Sequence, residues 1–188
     1  MKKMFLYAAT CLWLAACNNE AKKDEGKTNE TTTNADSGKS KSPQQSEFAD
    51  ARYADIGKKM GAQLKSGDVD GWVSNYADDA KYRWSAGDSL SGKAEIAKYW
   101  GDRRKNVIDS IDFLNEIWLP IKINTPQTKF DAPGVWLLSW YMVSVKYKNG
   151  KKLMFWTHTD HHFNANDKID QTIQYIDRAP INKALGVK

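Results

Sequence analysis

The stretch Asp68–Trp100, DVDGWVSNYADDAKYRWSAGDSLSGKAEIAKYW, holds a capped helix, a short strand, a turn and a second capped helix. Asp68 offers an N-cap oxygen. Val69, Trp72, Val73 and Tyr76 recur at i, i+3, i+4 and i+7, one apolar stripe of helical period. Asp78-Asp79 is expected to close that helix. Ala80–Trp84 alternates as a strand, with Tyr82 and Trp84 on one face and Lys81 and Arg83 on the other. Ser85–Asp88 reads as a turn. Ser91 then caps a helix that buries Ile96, Tyr99, Trp100 and the stem of Arg103.

Upstream, Ser46 reads as the N-cap of a first helix whose Phe48, Tyr53, Ile56, Met60 and Leu64 keep helical spacing, and Ser66-Gly67 ends it. Downstream the pattern is strand. Ile111, Phe113, Asn115, Ile117, Leu119, Ile121 and Ile123 share one face, and Pro120 signals a bulge or an edge. Val135–Tyr147 and Lys152–Phe163 flank Asn149-Gly150, a strong hairpin signal. With those two residues as the turn, Lys148 faces Lys151. One face then gathers Trp136, Leu138, Trp140 and Met142 with Phe155, Thr157, Thr159 and His161. The other gathers Leu137, Ser139, Tyr141, Val143 and Val145 with Met154, Trp156, His158, Asp160 and His162. A last strand puts Ile169, Gln171, Ile173 and Tyr175 inward. Three N-terminal helices packed on a curved, mostly antiparallel sheet make an α+β cone with its cavity between helices and sheet.

The N-terminus concerns location rather than fold. Lys2-Lys3 precede an apolar run, Met4–Ala16, that reads as a secretory signal. Leu14-Ala15-Ala16-Cys17 resembles the bacterial lipobox, which implies cleavage after residue 16 and acylation of Cys17. Residues 17–46 follow as a tether: from 18 to 46 the only apolar side chains are Ala21 and Ala35, too few to offset chain entropy. The expected domains are thus a signal at 1–16, an acylated disordered tether at 17–46, a fold at 47–180 and a loose tail at 181–188. Cys11 and Cys17 are the only cysteines, so the fold has no disulfide and no thiol nucleophile. The expected place is the cell envelope, anchored by lipid to the outer membrane and facing either the periplasm or the exterior. A formal charge of +5 at pH 7 is far from a nucleic-acid footprint, and no nucleic-acid partner is expected.

GDVDGWVSNYADDAKY, then SGKAEIAKYW, and finally HHFNANDKIDQTIQYID, in that order, resemble the NTF2-like superfamily over about residues 50–178. Within it the likeness is to SnoaL-like and ketosteroid-isomerase-like domains. The resemblance implies the cone fold and frequent dimerisation through the outer sheet face. It also allows a negative. The positions at which steroid isomerases keep a general-base aspartate, an oxyanion-donating tyrosine and a neutral aspartic acid fall on Trp84, Met60 and Thr159. Proton abstraction needs a base, and enolate stabilisation needs preorganised donors; these side chains supply neither.

The expected pocket is Met60, Tyr82, Trp84, Tyr99, Trp100, Asn115, Trp140, Phe155, Thr157, Thr159, His161 and Gln171. A small apolar ligand would stack on its aromatic rings, oriented by His161, Gln171 and Asn115. His161 is the one inward general acid or base. Some SnoaL-type cyclases use a His/Asp pair, but no inward carboxylate accompanies His161. Its alternative role is a core histidine bonded to Asn115 or Gln171. His158, Asp160 and His162 alternate along one strand and diverge, so no metal is expected there, and no cofactor elsewhere. Tyr141, Val143, Val145, Met154, Trp156 and His158 form the expected homodimer face. No P-loop, nucleotide-binding glycine pattern or nucleophile elbow is present. Three readings follow: an envelope lipoprotein binding a small apolar ligand without isomerase chemistry, a His161-dependent hydratase, cyclase or lyase, and a dimeric interaction module with a filled cone.

Overall fold

The computed structural model describes residues 44–128 and 132–187. Cys17, the signal and most of the tether lie outside the described residues. The elements are β1 (Ser46–Phe48), α1 (Arg52–Ser66), α2 (Val69–Val73), β2 (Tyr76–Trp84), β3 (Ser89–Ser91), α3 (Lys93–Asn106), β4 (Ile108–Ile123), β5 (Gly134–Tyr147), β6 (Lys152–Phe163), β7 (Ile169–Tyr175) and α4 (Ala179–Leu185). One seven-stranded sheet has the order β1-β4-β5-β6-β7-β2-β3, antiparallel except where β2 runs parallel to β7.

The helical expectations hold at their glycine and aspartate punctuation and fail at two serines. Gly67 ends α1 at φ 85°, with the Asp68 and Gly67 amides donating to the Gln63 and Leu64 carbonyls. Asp68 caps α2 by accepting from the Gly71 amide at 2.8 Å. Ser46, however, lies in β1, where Ser46–Phe48 pairs with Ile121–Ile123, and α1 begins only at Arg52. Ser91 lies in β3, and Gly92 is the N-cap of α3. Helix α2 is one turn, and its stripe residue Tyr76 already opens β2. The helices are therefore interleaved with strands. A fourth helix, α4, stands where a loose tail was expected: Pro180 starts it and Ile181 is buried.

Two backbone devices decide which face of the sheet points inward. In the β5–β6 hairpin the Tyr147 carbonyl accepts from the Gly150 amide at 2.9 Å, and Gly150 has φ 84°. This is a three-residue loop with a glycine bulge, Lys148-Asn149-Gly150, rather than a two-residue Asn-Gly turn. It pairs Lys146 with Lys152 and Trp140 with His158, one residue out of the expected register. Every β5 side chain consequently changes face relative to β6. Leu137, Ser139, Tyr141, Val143 and Val145 come inside, and Trp140 goes outside.

In β4, Asn115 takes φ 53° within a bulge between Leu114 and Ile117. Ile111 and Phe113 face inward before it and Trp118 after it, while Ile117 is exposed. A register shift at His162/Phe163 does the same for β7, burying Thr172 and Gln174 in place of Gln171 and Ile173.

The main core joins α1, α2, α3 and β2 through Tyr53, Met60, Trp72, Tyr76, Tyr82, Ile96 and Leu137. A second cluster, Ile108, Val143, Val145, Tyr147 and Ile181, seats α4. Two polar ties hold that helix: Arg178 forks onto Asp88 at 2.8 and 2.5 Å, and Asn149 Nδ2 donates to the Ala184 carbonyl at 2.8 Å.

Candidate functional site

Between the helices and the inner faces of β4–β7 lies a cavity of about 170 Å³. Its helical wall comes from Met60 on α1 and from Tyr99 and Trp100, neighbours on the buried side of α3. Tyr82 and Trp84, two apart on β2, bring their rings to the same side, 4.9 Å between centroids, and Trp84 meets Tyr99 at 5.2 Å. Phe155, Thr159 and His161 line it from β6. Eight expected residues are thus brought together: Met60, Tyr82, Trp84, Tyr99, Trp100, Phe155, Thr159 and His161.

Four are not. Asn115 is consumed by the β4 bulge. Trp140, displaced by the hairpin register, stacks on His158 at 4.5 Å on the outer face. Thr157 donates to the Tyr175 carbonyl at 2.9 Å and does not line the cavity. Gln171 opposes His162 across the β6–β7 pair, away from the cavity. The places they vacate are taken by Trp118, Tyr141, Val143 and Gln174, and the mouth adds Arg103, Arg178, Ile181 and Asn182.

The polar groups of the wall bond to one another. The Tyr82 hydroxyl and the Trp84 indole N–H both donate to Gln174 Oε1, at 2.9 and 3.0 Å. An indole nitrogen only donates, so this fixes the amide orientation. The Gln174 NH₂ is left without a partner among the described residues. Thr172 Oγ1 lies 3.3 Å from the Tyr76 hydroxyl and 2.9 Å from His161 Nδ1, with the His161 tautomer deciding which of that second pair donates.

Burial holds His161 down at about 4, so the ring is neutral at pH 7. The Tyr141 and Thr159 hydroxyls share one hydrogen bond at 3.0 Å and keep one proton to offer. Burial pushes Tyr141 up to about 12, against the Thr159 hydrogen bond. Among the described residues no Asp or Glu lines the cavity.

On the outer face, His158 Nδ1 meets the Ser139 carbonyl at 2.9 Å and Nε2 lies 2.8 Å from Asp160. Burial raises the Asp160 carboxyl, opposed by His158. His162 turns instead to Asp170 at 2.5 Å and the Pro133 carbonyl at 3.1 Å. Of the expected dimer residues, Met154, Trp156 and His158 are on this face, whereas Tyr141, Val143 and Val145 are inside. Leu114, Ile117, Met142 and Tyr175 stand with the former by register.

Solved structures share this fold. A proposed polyketide cyclase from Xanthomonas campestris pv. campestris superposes with TM-score 0.57 at 13% identity, covering 71% of this chain and 96% of its own. A proposed SnoaL-like polyketide cyclase from Shewanella denitrificans gives 0.54 at 14%, covering 73% and 98%. An NTF2-like protein of unknown function from Burkholderia pseudomallei gives 0.54 at 12%, covering 70% and 95%.

The domain has the NTF2-like fold. No family profile matches the chain, and no curated protein matches it. At these identities the likeness extends to the NTF2-like architecture and not to a reaction. Nothing in an alternating strand pattern signals a bulge, which is why Gln174 and Tyr141 escaped the sequence; Gly150 and Asn115 were the available cues.

Proposed function

We propose that this NTF2-like domain binds a small, largely apolar molecule in its aromatic cavity, without isomerase-type chemistry. The observation that carries the reading is a cavity of about 170 Å³ walled by Tyr82, Trp84, Tyr99 and Trp100, with no carboxylate among the described residues that line it. An apolar cavity of about 150 Å³ suffices for benzene, so the ligand is of one- or two-ring size. The free Gln174 NH₂ suits a carbonyl, and the neutral His161 ring suits a hydroxyl. Small aromatic compounds are expected to quench tryptophan fluorescence of the full chain saturably. Ile176 also lines the cavity, and Ile176→Trp, which fills it, is expected to abolish that response with the circular dichroism unchanged. Saturable quenching that persists in this variant refutes the reading.

A second reading is favoured by one observation, the neutral His161 ring at the cavity wall: a His161-dependent hydratase, cyclase or lyase. A base held down at about 4, with no carboxylate beside it, is weak for proton abstraction. Turnover lost in a folded His161→Gln variant would support it. The reading also places the domain on the cell envelope through an acylated Cys17; metabolic labelling with a palmitate analogue, lost in Cys17→Ala, tests this. A second copy of the chain is the proposed occupant of the outer face. Met154 and Trp156 there are 61% and 51% exposed beside Leu114, Ile117 and Tyr175, and the patch is lightly charged. Sedimentation should find a dimer that Trp156→Asp converts to monomer.

A further inference from the structure

Two arginines stand at the cavity, and they differ. Arg178 is neutralised by its fork onto Asp88, 2.8 and 2.5 Å away. Arg103 lines the cavity and is half-buried, and its guanidinium makes no ion pair or hydrogen bond with any described residue. The nearest carboxylates on its own helix are already engaged: Asp102 with Lys98 at 2.6 Å, and Glu95 accepting from the Ser91 amide at 2.8 Å. The guanidinium carbon lies 5.6 Å from the Tyr99 ring centroid, a contact that orients the fork but supplies no counter-charge. Its field reaches inward as well. Burial raises both the Tyr82 and Tyr147 hydroxyls, and the Arg103 charge opposes that rise at each.

We infer that the ligand of this cavity is an anion: an apolar ring or short chain whose carboxylate pairs with the Arg103 guanidinium. This rests on the cavity being a ligand site, as proposed above. The physical reason is an asymmetry. A half-buried charge with an aromatic face beside it but no counter-charge gains more from a ligand carboxylate that reaches it than a surface pair would. Arginine's planar fork matches a carboxylate with two parallel N–H donors, a fit that a neutral amide or alcohol cannot reproduce. The inner end of the cavity offers only neutral groups in His161, Gln174 and the Tyr141–Thr159 pair, so the charge of the ligand belongs at the mouth. The aromatic walls alone would equally suit an organic cation. Arg103 decides against it, because no carboxylate among the described residues of the wall offsets its charge.

The test compares phenylacetate, 2-phenylacetamide and phenethylammonium by calorimetry or ligand-observed NMR on the full chain at neutral pH. Phenylacetate is expected to bind about tenfold more tightly than the amide, the cation least. In Arg103→Gln the tenfold preference should vanish while amide affinity stays as it was, and Arg103→Lys should keep part of it. The preference should also shrink at high salt. Equal binding of acid and amide in the wild type, a preference that survives Arg103→Gln, or tighter binding of the cation overturns the anion inference and leaves the cavity reading standing. If none of the three binds at millimolar concentration, the cavity reading falls, and this inference with it.

Discussion

Gln174→Leu removes one acceptor that two buried donors share. Tyr82, Trp84 and Gln174 are 2%, 7% and 7% exposed, so neither the hydroxyl nor the indole N–H can turn to bulk water. Each stranded donor costs about 1–3 kcal/mol. Leucine returns about 1–2 kcal/mol by burying apolar surface in place of the amide. The net expectation is a loss of about 1–4 kcal/mol, or at the middle of that range a fall in Tm of roughly 10 °C for a domain of this size.

Urea titration supplies the free energy, and a double-mutant cycle with Tyr82→Phe supplies its origin. In the wild type Tyr82→Phe removes one hydrogen bond at about 1 kcal/mol while Trp84 still satisfies Gln174. In the Gln174→Leu background it removes a stranded hydroxyl and should cost nothing or stabilise. A coupling of at least about 1 kcal/mol is therefore expected. Additive effects of the two changes, or a Gln174→Leu variant within about 0.5 kcal/mol of wild type, would refute the shared-acceptor account.

Three other outcomes follow from the same geometry. Burial lowers His161 to about 4 from 6.5, so the unfolded chain takes up its proton first as pH falls. The resulting stability is full above about pH 6.5 and lost toward pH 4, about 3 kcal/mol in all; equilibrium unfolding across that window should flatten in His161→Gln. Gly57→Ala would set a methyl 2.6 Å from the Trp118 ring and 2.8 Å from Leu137 Cδ2. Overpacking at about 1–3 kcal/mol should outweigh the gain of about 1 kcal/mol in helix propensity, giving a lower Tm with altered tryptophan fluorescence. Asp88→Asn breaks the exposed fork to Arg178; stability should fall by under about 1 kcal/mol, while amide exchange in α4 accelerates.

The scaffold was legible where chemistry is local. Asp68, Gly67 and the Val69–Val73 stripe announced their turns because capping and the left-handed glycine are properties of a few adjacent residues. Tyr82, Trp84, Tyr99 and Trp100 were legible for the same reason, since each pair lies on one element with intact spacing. The far wall was not. Its identity depends on counting from a turn, and the count failed by one at Gly150 and again at Asn115 and His162. Thus His161 and Thr159 were placed correctly from β6 alone, whereas Trp140 and Gln171 were placed inside and Tyr141 and Gln174 were missed. The C-terminal helix escaped notice because it buries little beyond Ile181, too sparse a pattern to stand out in seven residues.

The three-residue loop at Lys148-Asn149-Gly150 has a consequence for how this domain can vary. Surface loops ordinarily absorb insertions at small cost. Here the number of residues in the loop decides which half of β5 is wall and which is exterior. Taking out one residue would swing Trp136, Trp140 and Met142 into the cavity and turn Tyr141, Val143 and Val145 out to water. Taking out or adding two would restore the original sidedness. Length changes at this tip should therefore be tolerated in even steps and lethal in odd ones, an arithmetic modulo two imposed on an otherwise permissive loop.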